Sequence, residues 1–266
     1  ALDDLERYRL RDGALAVLRG HGDVEAWLAR EAATGLLPPG RSGADALADA
    51  RRILREYRDR VGALLDAPAE TVPVQIALGD LRLVGELEGC GRAFRLLLRP
   101  GKAGDRDLVR LWVGHLALAA AGAGRPSLLV DAGHVHHLAP LAPEAARERL
   151  ADLLAVRAEL LEAPAPLLCA SSAAHARVAA GDPENPAARA KARAQWEPSA
   201  FAGAPGEGER AQVLRLWPRF PGDDPQLAPA FAELASRVWS PLIEAHEACA
   251  AKATRALVAA LAEGDP

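Results

Sequence analysis

Two glutamates in one short segment, Glu86 and Glu88, are the residues whose types and spacing most suggest chemistry. They lie two residues apart in the alternating segment LRLVGELE, so their carboxylates would share one face of an extended strand. Converging carboxylate oxygens are the ligands that Mg²⁺ requires, and a bound cation could position water against a phosphodiester. The next apolar segment, residues 93–100, contains no acidic residue, although Lys102 follows it. The ligand set of a metal-dependent hydrolase is therefore incomplete.

A second group of possible metal ligands lies further along the chain, at Asp131, His134 and His136. In an extended segment the two histidines would share a face, and together with Asp131 they could hold a transition metal. No further ligand follows at a fixed spacing, so a His-rich strand or turn is the favoured interpretation.

The elements that must position these residues follow from apolar periodicity. A long amphipathic helix is predicted over residues 44–65, and strict alternation then predicts strands over 71–78 and 81–88, joined by a turn at Gly79 and Asp80. A third strand is predicted over 93–99 and a fourth over 127–132.

A helix is predicted between the third and fourth strands, over residues 105–121, with Asp105 as its cap. Its buried side should carry Leu108, Leu111, Trp112 and Leu116. Helical segments are also predicted in the first 43 residues and over 143–162, and residues 225–263 are predicted to be mostly helical with a break at Pro241.

The predicted order of helix, three strands, helix and strand resembles the core of PD-(D/E)xK nucleases, an α/β (α+β) fold with helical additions here. That fold brings an acid on one strand next to a D/E-x-K motif on the following strand. The matching positions hold Glu88, Leu98 and Pro100. Because Leu and Pro offer no ligand oxygen, the resemblance implies a degenerate nuclease site with no catalytic residue, no bound metal and no cofactor.

Composition restricts the function classes. A net charge of −4 argues against a surface that is basic throughout, so any DNA contact must be local. The chain lacks an apolar run of ~18 residues and a G-x-x-x-x-G-K-[ST] loop, which excludes a membrane span and a P-loop nucleotide site. Three widely spaced cysteines are typical of free thiols in a reducing cytoplasm. A sequence without Met is expected to be a fragment of a larger protein.

The wider sequence is similar to the C-terminal region of RecC, the gamma subunit of the RecBCD helicase-nuclease (exodeoxyribonuclease V). The segments that carry this resemblance lie in the same order and at similar spacing: LDDLERYRLRDGALAVLRG at residues 2–20, TGLLPPG at 34–40, GEL at 85–87, LRP at 98–100 leading into LW at 111–112 and HL at 115–116, KARAQW at 191–196, RLWPRF at 215–220 and WSPLIE at 239–244. Each segment is short, and their combination is specific.

The resemblance implies a non-enzymatic domain of a bacterial, cytoplasmic RecC-like subunit. It would guide or separate DNA strands, support Chi recognition and contact RecB-like and RecD-like subunits, in double-strand break repair and recombination. The expected division is a helical extension over residues 1–43, a nuclease-like core over 44–132 and a mainly helical part over 133–266. Alone, the chain should bind DNA weakly and expose an apolar patch for a partner, with Trp239, Leu242 and Ile243 as candidate contacts.

Two other functions remain open from the residues. One is an active PD-(D/E)xK nuclease whose catalytic residues have migrated, for which Glu86, Glu88 and Lys102 would be the candidates. The other is a protein-interaction module that does not contact DNA.

Overall fold

A six-stranded mixed sheet forms the centre of the computed structural model, which describes residues 2–179, 181–198, 205–249 and 251–263. The strands of these ranges are β1 (Glu70–Leu78), β2 (Leu81–Cys90), β3 (Arg95–Leu98), β4 (Ser127–Val130), β5 (Val135–Leu138) and β6 (His246–Cys249). They lie side by side in chain order, and every neighbouring pair is antiparallel except β3 and β4, which are parallel.

Helices cover both faces of this sheet. In the described ranges they are α1 (Asp4–Arg19), α2 (Val24–Ala33), α3 (Arg41–Leu65), α4 (Asp105–Ala120), α5 (Pro143–Glu162), α6 (Cys169–Ala179), α7 (Pro186–Trp196), α8 (Ala211–Leu216), α9 (Ala228–Ala245) and α10 (Ala251–Glu263). The order α3, β1, β2, β3, α4, β4 is the order that periodicity predicted. The sheet and helices make the chain a mixed α/β protein.

Alternation along each strand produces two separate apolar cores. Leu129 of β4 packs with Trp112 of α4 and Trp239 of α9, whereas Leu128 and Val130 pack on the other face with α1 and α3. Successive side chains of a strand point to opposite faces, so a fully buried strand such as β4 must be apolar on both. The chain is therefore a three-layer structure with the sheet in the middle.

Helix α4 presents the predicted face to the sheet. Leu111, Trp112 and Leu116 are buried in the core that also contains Ile76 of β1 and Leu138 of β5. The predicted cap was wrong. Gly104 is the N-cap, and the Asp107 carboxylate accepts a hydrogen bond from its N–H at 2.9 Å, while Asp105 is the first helical residue.

The predicted hairpin is present and is built on a two-residue turn. Gly79 has a φ of 59°, and Asp80 does not take a positive φ. That combination is the type II′ turn, which places glycine first and matches the twist of the strands. One face of the hairpin packs toward α4 through Val74 and Ile76, and the other is exposed.

The C-terminal part differs from the sequence prediction. Helix α9 passes through Pro241 without ending there, and the chain leaves the helix at His246 to form β6. The expected break at Pro241 was wrong, because burial of Trp239 and Leu242 on either side of it keeps this turn packed. Strands β5 and β6 extend the sheet across the expected boundary after residue 132, and residues 180, 199–204, 250 and 264–266 of the expected C-terminal part lie outside the described ranges.

None of the helices in the described ranges is long and apolar enough to cross a membrane.

Candidate functional site

The structure brings Glu88 and Leu98 to one surface cleft of about 380 Å³. Glu88 is near the end of β2 and Leu98 ends β3, and these antiparallel strands meet at Cys90 and Arg95. Gly89 allows this close approach. It has a φ of 72°, and a Cβ there would collide with the Leu96 carbonyl oxygen. The third matching position, Pro100, is buried beyond the end of β3.

The remaining walls of the cleft come from α1 and the start of β1. They carry two further carboxylates, Asp12 and Glu70, and one cation, Arg19. Asp12, Glu70 and Glu88 are all exposed to solvent, so water competes for each of them. The β3 side of the cleft is lined by Leu96, Leu97 and Leu98, which offer no side-chain oxygen. The strand that would have to complete a ligand set is therefore apolar.

Arg19 is the cation of this cleft that sequence reasoning missed. Its Nη1 donates to the Ala67 carbonyl at 2.9 Å, whereas Nε and Nη2 are buried without a hydrogen-bond partner among the described residues. Burial lowers the pKa of the guanidinium. Its signal in the sequence was weak, since a basic residue in the last turn of a helix usually serves only the helix dipole.

Lys102, a candidate catalytic residue if the chain were an active nuclease, does not line the cleft. Lys102 is exposed in the loop before α4, and its carbonyl accepts a hydrogen bond from Arg99 Nε at 3.3 Å. Glu86 points along the exposed part of the hairpin and does not line this cleft either. Among the described residues, no group of three or more His, Cys, Asp or Glu side chains is arranged to hold a metal ion.

The histidine-rich segment forms a buried hydrogen-bond network. The Asp131 carboxylate accepts from the backbone N–H groups of Ala103 (2.7 Å), Gly133 (2.7 Å) and His134 (2.6 Å), and from His136 Nε2 (3.2 Å). Burial by itself would raise the pKa of Asp131, but these donors lower it to about 2. The carboxylate is thus charged and fully occupied, which leaves it no free lone pair for a cation.

The network continues to a residue that the sequence did not single out, His246 of β6. His136 Nδ1 lies 2.9 Å from His246 Nε2, and burial first and the neighbouring His136 second lower the pKa of His246 to about 4. Helix α3 is joined to the same region, since Arg60 donates to the Asp131 carbonyl and Tyr57 donates to the Arg99 carbonyl. The segment that could have been a metal site therefore fixes β4, β5, β6 and α3 to one another.

The candidate partner contacts near the end of the chain are not exposed to solvent. Trp239 and Leu242 are 2% and 1% exposed and belong to the core under α4, while Ile243 is half-buried against it. The expectation of an exposed patch at these residues was wrong, because the apolar side of α9 is covered by α4, α5 and α6. Exposed large apolar side chains lie elsewhere, at Leu5, Leu36, Leu81, Val84, Val113, Leu161, Leu214 and Leu216.

Sequence relationships give the class of protein. The RecC C-terminal domain family matches residues 1–180, about two thirds of the chain, and the chain belongs to this family. The resemblance inferred from short segments is confirmed.

A particular relative extends the match toward the end of the chain. The chain is 26% identical over 257 residues to the RecBCD enzyme subunit RecC of Escherichia coli (strain K12). The similarity covers 92% of this chain and 22% of that protein, so the chain spans about a fifth of the length of this relative.

Proposed function

We propose that this chain is a non-catalytic domain of a RecC-like subunit in a RecBCD-type helicase-nuclease of the bacterial cytoplasm, acting in double-strand break repair and recombination. Its roles are to help guide or separate DNA strands, to contact RecB-like and RecD-like subunits, and to support Chi recognition. Membership of the RecC C-terminal domain family supports the assignment to this complex.

One observation carries the non-catalytic part of the proposal: Glu88 faces leucines across the cleft. The order of α3, β1, β2, β3, α4 and β4 supports a core of PD-(D/E)xK type, in which that cleft is where an acid and a D/E-x-K motif would meet. Leu98 occupies the second acidic position, and among the described residues the three exposed carboxylates of the cleft, Asp12, Glu70 and Glu88, do not form a group arranged to hold a metal ion. The fold then serves as a shaped scaffold, and hydrolysis takes place in other subunits.

The charge distribution of the chain fits a domain that forms only part of a DNA-binding surface, with the rest formed by other subunits. A net charge of −4 gives no long-range attraction for a polyanion. Two of the arginines on the exposed side of α3 are consumed by ion pairs, Arg51 with Glu25 at 2.7 Å and Arg52 with Asp49 and Glu56. Neighbouring subunits must therefore supply part of the positive surface that holds DNA.

A nuclease assay with a matched variant tests the proposal. The purified chain is incubated with linear duplex DNA and Mg²⁺ or Mn²⁺, alongside Glu88→Ala, and metal binding is followed by calorimetry. The expected result is no cleavage and no metal uptake by either protein. Metal-dependent cleavage that Glu88→Ala abolishes would overturn the non-catalytic role and establish the migrated nuclease.

The role in the complex needs a second experiment. RecB-like, RecC-like and RecD-like subunits are reconstituted with Glu88→Ala in the RecC-like subunit or with residues 1–266 deleted. Glu88→Ala should leave DNA unwinding and degradation unchanged, and the deletion should abolish assembly or unwinding. Full assembly and processive unwinding without this domain would contradict the proposal.

A further inference from the structure

Arg95 is a buried guanidinium that forms no ion pair in the part of the chain that the structure describes. The residue is 6% exposed, and its Nε donates to the Glu88 carbonyl at 3.1 Å. Its Nη1 is buried and has no hydrogen-bond partner among the described residues. Burial lowers the pKa of Arg95. An unpaired charge in an apolar setting is destabilising, so a carboxylate brought to this point would be bound strongly.

Arg95 lies at one end of an apolar groove of about 400 Å³ between β2 and α4. The sides of the groove are Leu83, Gly85 and Leu87 on the hairpin and Val109, Val113 and Ala117 on the helix. Its charged residues are Glu86, Arg95 and Arg110, two cations against one anion. The groove is on the α4 side of the sheet, so it is separate from the cleft of Glu88 and Leu98.

The strand beside this groove has an unpaired edge. β2 pairs with β1 from Leu81 to Cys90. Among the described residues, β2 pairs with β3 only at Cys90, which lies opposite Arg95. In a hairpin with a two-residue turn, the pair that flanks the turn is hydrogen-bonded and the pairs then alternate. Leu78 with Leu81 is such a pair, so the backbone N–H and C=O groups of Arg82, Val84 and Glu86 point away from β1.

The two edges of the hairpin differ in their capacity to accept another strand. On β1, Pro73 pairs with Glu86 and so occupies an outward-facing position, where it removes an N–H and blocks the addition of a strand. On β2, the outward positions hold residues that keep their N–H groups, and Val84 is 67% exposed. A strand edge that keeps its N–H groups and carries an exposed apolar side chain is typical of sites that receive another strand.

We propose that the β2 edge and its groove bind an extended acidic peptide segment of a partner protein, which adds a strand to β2 and places a carboxylate on Arg95. Main-chain hydrogen bonds to Arg82, Val84 and Glu86 provide affinity. Apolar side chains of the peptide fill the groove, and the carboxylate pairs with the Arg95 guanidinium in a largely desolvated setting where a charge-assisted hydrogen bond is strong. The bound peptide is therefore expected to have alternating apolar residues and one acidic residue.

Selection from a peptide library tests the strand edge. A phage-displayed library of random nine-residue peptides is panned in parallel against the 266-residue chain, Val84→Pro and Gln75→Pro. Gln75 pairs with Val84, so the two prolines are matched: each removes one outward N–H, on opposite edges of the same hairpin. We expect enrichment of alternating apolar peptides with an acidic residue on the wild-type chain and on Gln75→Pro, and about tenfold weaker binding to Val84→Pro. Circular dichroism checks that both variants are folded.

The carboxylate is tested on the selected peptides. Replacing their acidic residue with the corresponding amide should weaken binding about tenfold, and that difference should shrink on Arg95→Gln. If Arg95→Gln does not fold, the comparison of acid and amide peptides on the wild-type chain decides the point. Hydrogen exchange at the amides of Arg82, Val84 and Glu86 should slow when peptide binds.

Three outcomes would overturn the proposal. They are a library without enrichment, peptides that bind Val84→Pro and Gln75→Pro equally, and a dimer in solution that Val84→Pro dissociates, which would make a second copy of the chain the occupant. None of these outcomes depends on the cleft of Glu88 and Leu98. The peptide experiments can therefore fail while the proposed function holds, and the reverse.

Discussion

His136 Nδ1 lies 2.9 Å from His246 Nε2, although the two residues are 110 positions apart in the chain. Their rings are stacked with centroids 5.2 Å apart, and His136 also reaches the buried Asp131 carboxylate with its other nitrogen. This arrangement joins the last strand of the sheet to the end of β4. A residue near the C-terminal part of the chain thereby completes a network that begins in the predicted core.

Buried histidines make the stability of the fold depend on pH. Burial lowers the pKa of His246 from 6.5 to about 4, and burial does the same for His115 of α4. The unfolded chain takes up these protons near pH 6.5 and the folded chain only near pH 4. Stability is thus complete above pH 6.5 and is lost as the pH falls toward 4. We expect the free energy of unfolding to drop by roughly 2–4 kcal/mol over this window, measured by urea denaturation.

A variant separates this effect from acid denaturation in general. His246→Gln removes one of these buried histidines and should reduce the drop between pH 6.5 and 4, while His21→Gln serves as the exposed control. Asp131 contributes only at lower pH, since its pKa falls from 3.8 to about 2 in the folded chain and its stabilisation is lost through that range. A free energy of unfolding that stays constant from pH 7 to pH 4 would contradict the prediction.

Trp112→Ala should destabilise the protein severely. Trp112 is 4% exposed and packs α4 onto the sheet, so its truncation leaves a cavity and is expected to cost ~3–5 kcal/mol. Its neighbour Val113 faces solvent from the same helix, and Val113→Ala should change stability by less than about 0.5 kcal/mol. Urea unfolding followed by tryptophan fluorescence and circular dichroism measures both, and equal effects would show that the wrong face was assigned to the core.

Two glycines of the hairpin region should respond differently to alanine. Gly79 and Gly89 both have a positive φ, but a Cβ at Gly79 meets open space, whereas at Gly89 it collides with the Leu96 carbonyl oxygen. Gly79→Ala should therefore cost only the conformational term of ~1–2 kcal/mol. Gly89→Ala adds a displacement of β2 from β3 and should cost clearly more. Denaturation midpoints decide this, and equal midpoints would show that β2 and β3 are not held together there.

The isolated chain should bind DNA weakly. With a net charge of −4, we expect a dissociation constant on the order of 10⁻⁴–10⁻⁶ M or weaker at physiological salt, typical of non-specific contacts. Fluorescence anisotropy with a labelled duplex at 50 and 200 mM salt provides the test, because phosphate contacts weaken steeply as salt increases. Tight binding that does not change with salt would argue against a DNA path completed by other subunits.

The sequence by itself determined the order of elements from α3 to β4, the position of the turn at Gly79 and the buried face of α4 at Trp112. It also determined the apolar side of the cleft at Leu98, and its short segments identified the family. These features are local. Periods of 2 and 3.6 residues, turn residues and the chemistry of a side chain are legible within a window of ten to twenty residues.

Only the tertiary structure decided the rest. Nothing near His246 indicates a strand, because the partner that makes it one is β5, over a hundred residues earlier. Trp239 and Leu242 were expected on a partner surface, but an apolar helix face does not reveal which element covers it, and here α4 does so. The burial of the charged residue Arg95 was likewise not predictable from the sequence. Its burial arises from the way β2, β3 and α4 meet, and packing of elements that are distant in sequence is what local patterns do not encode.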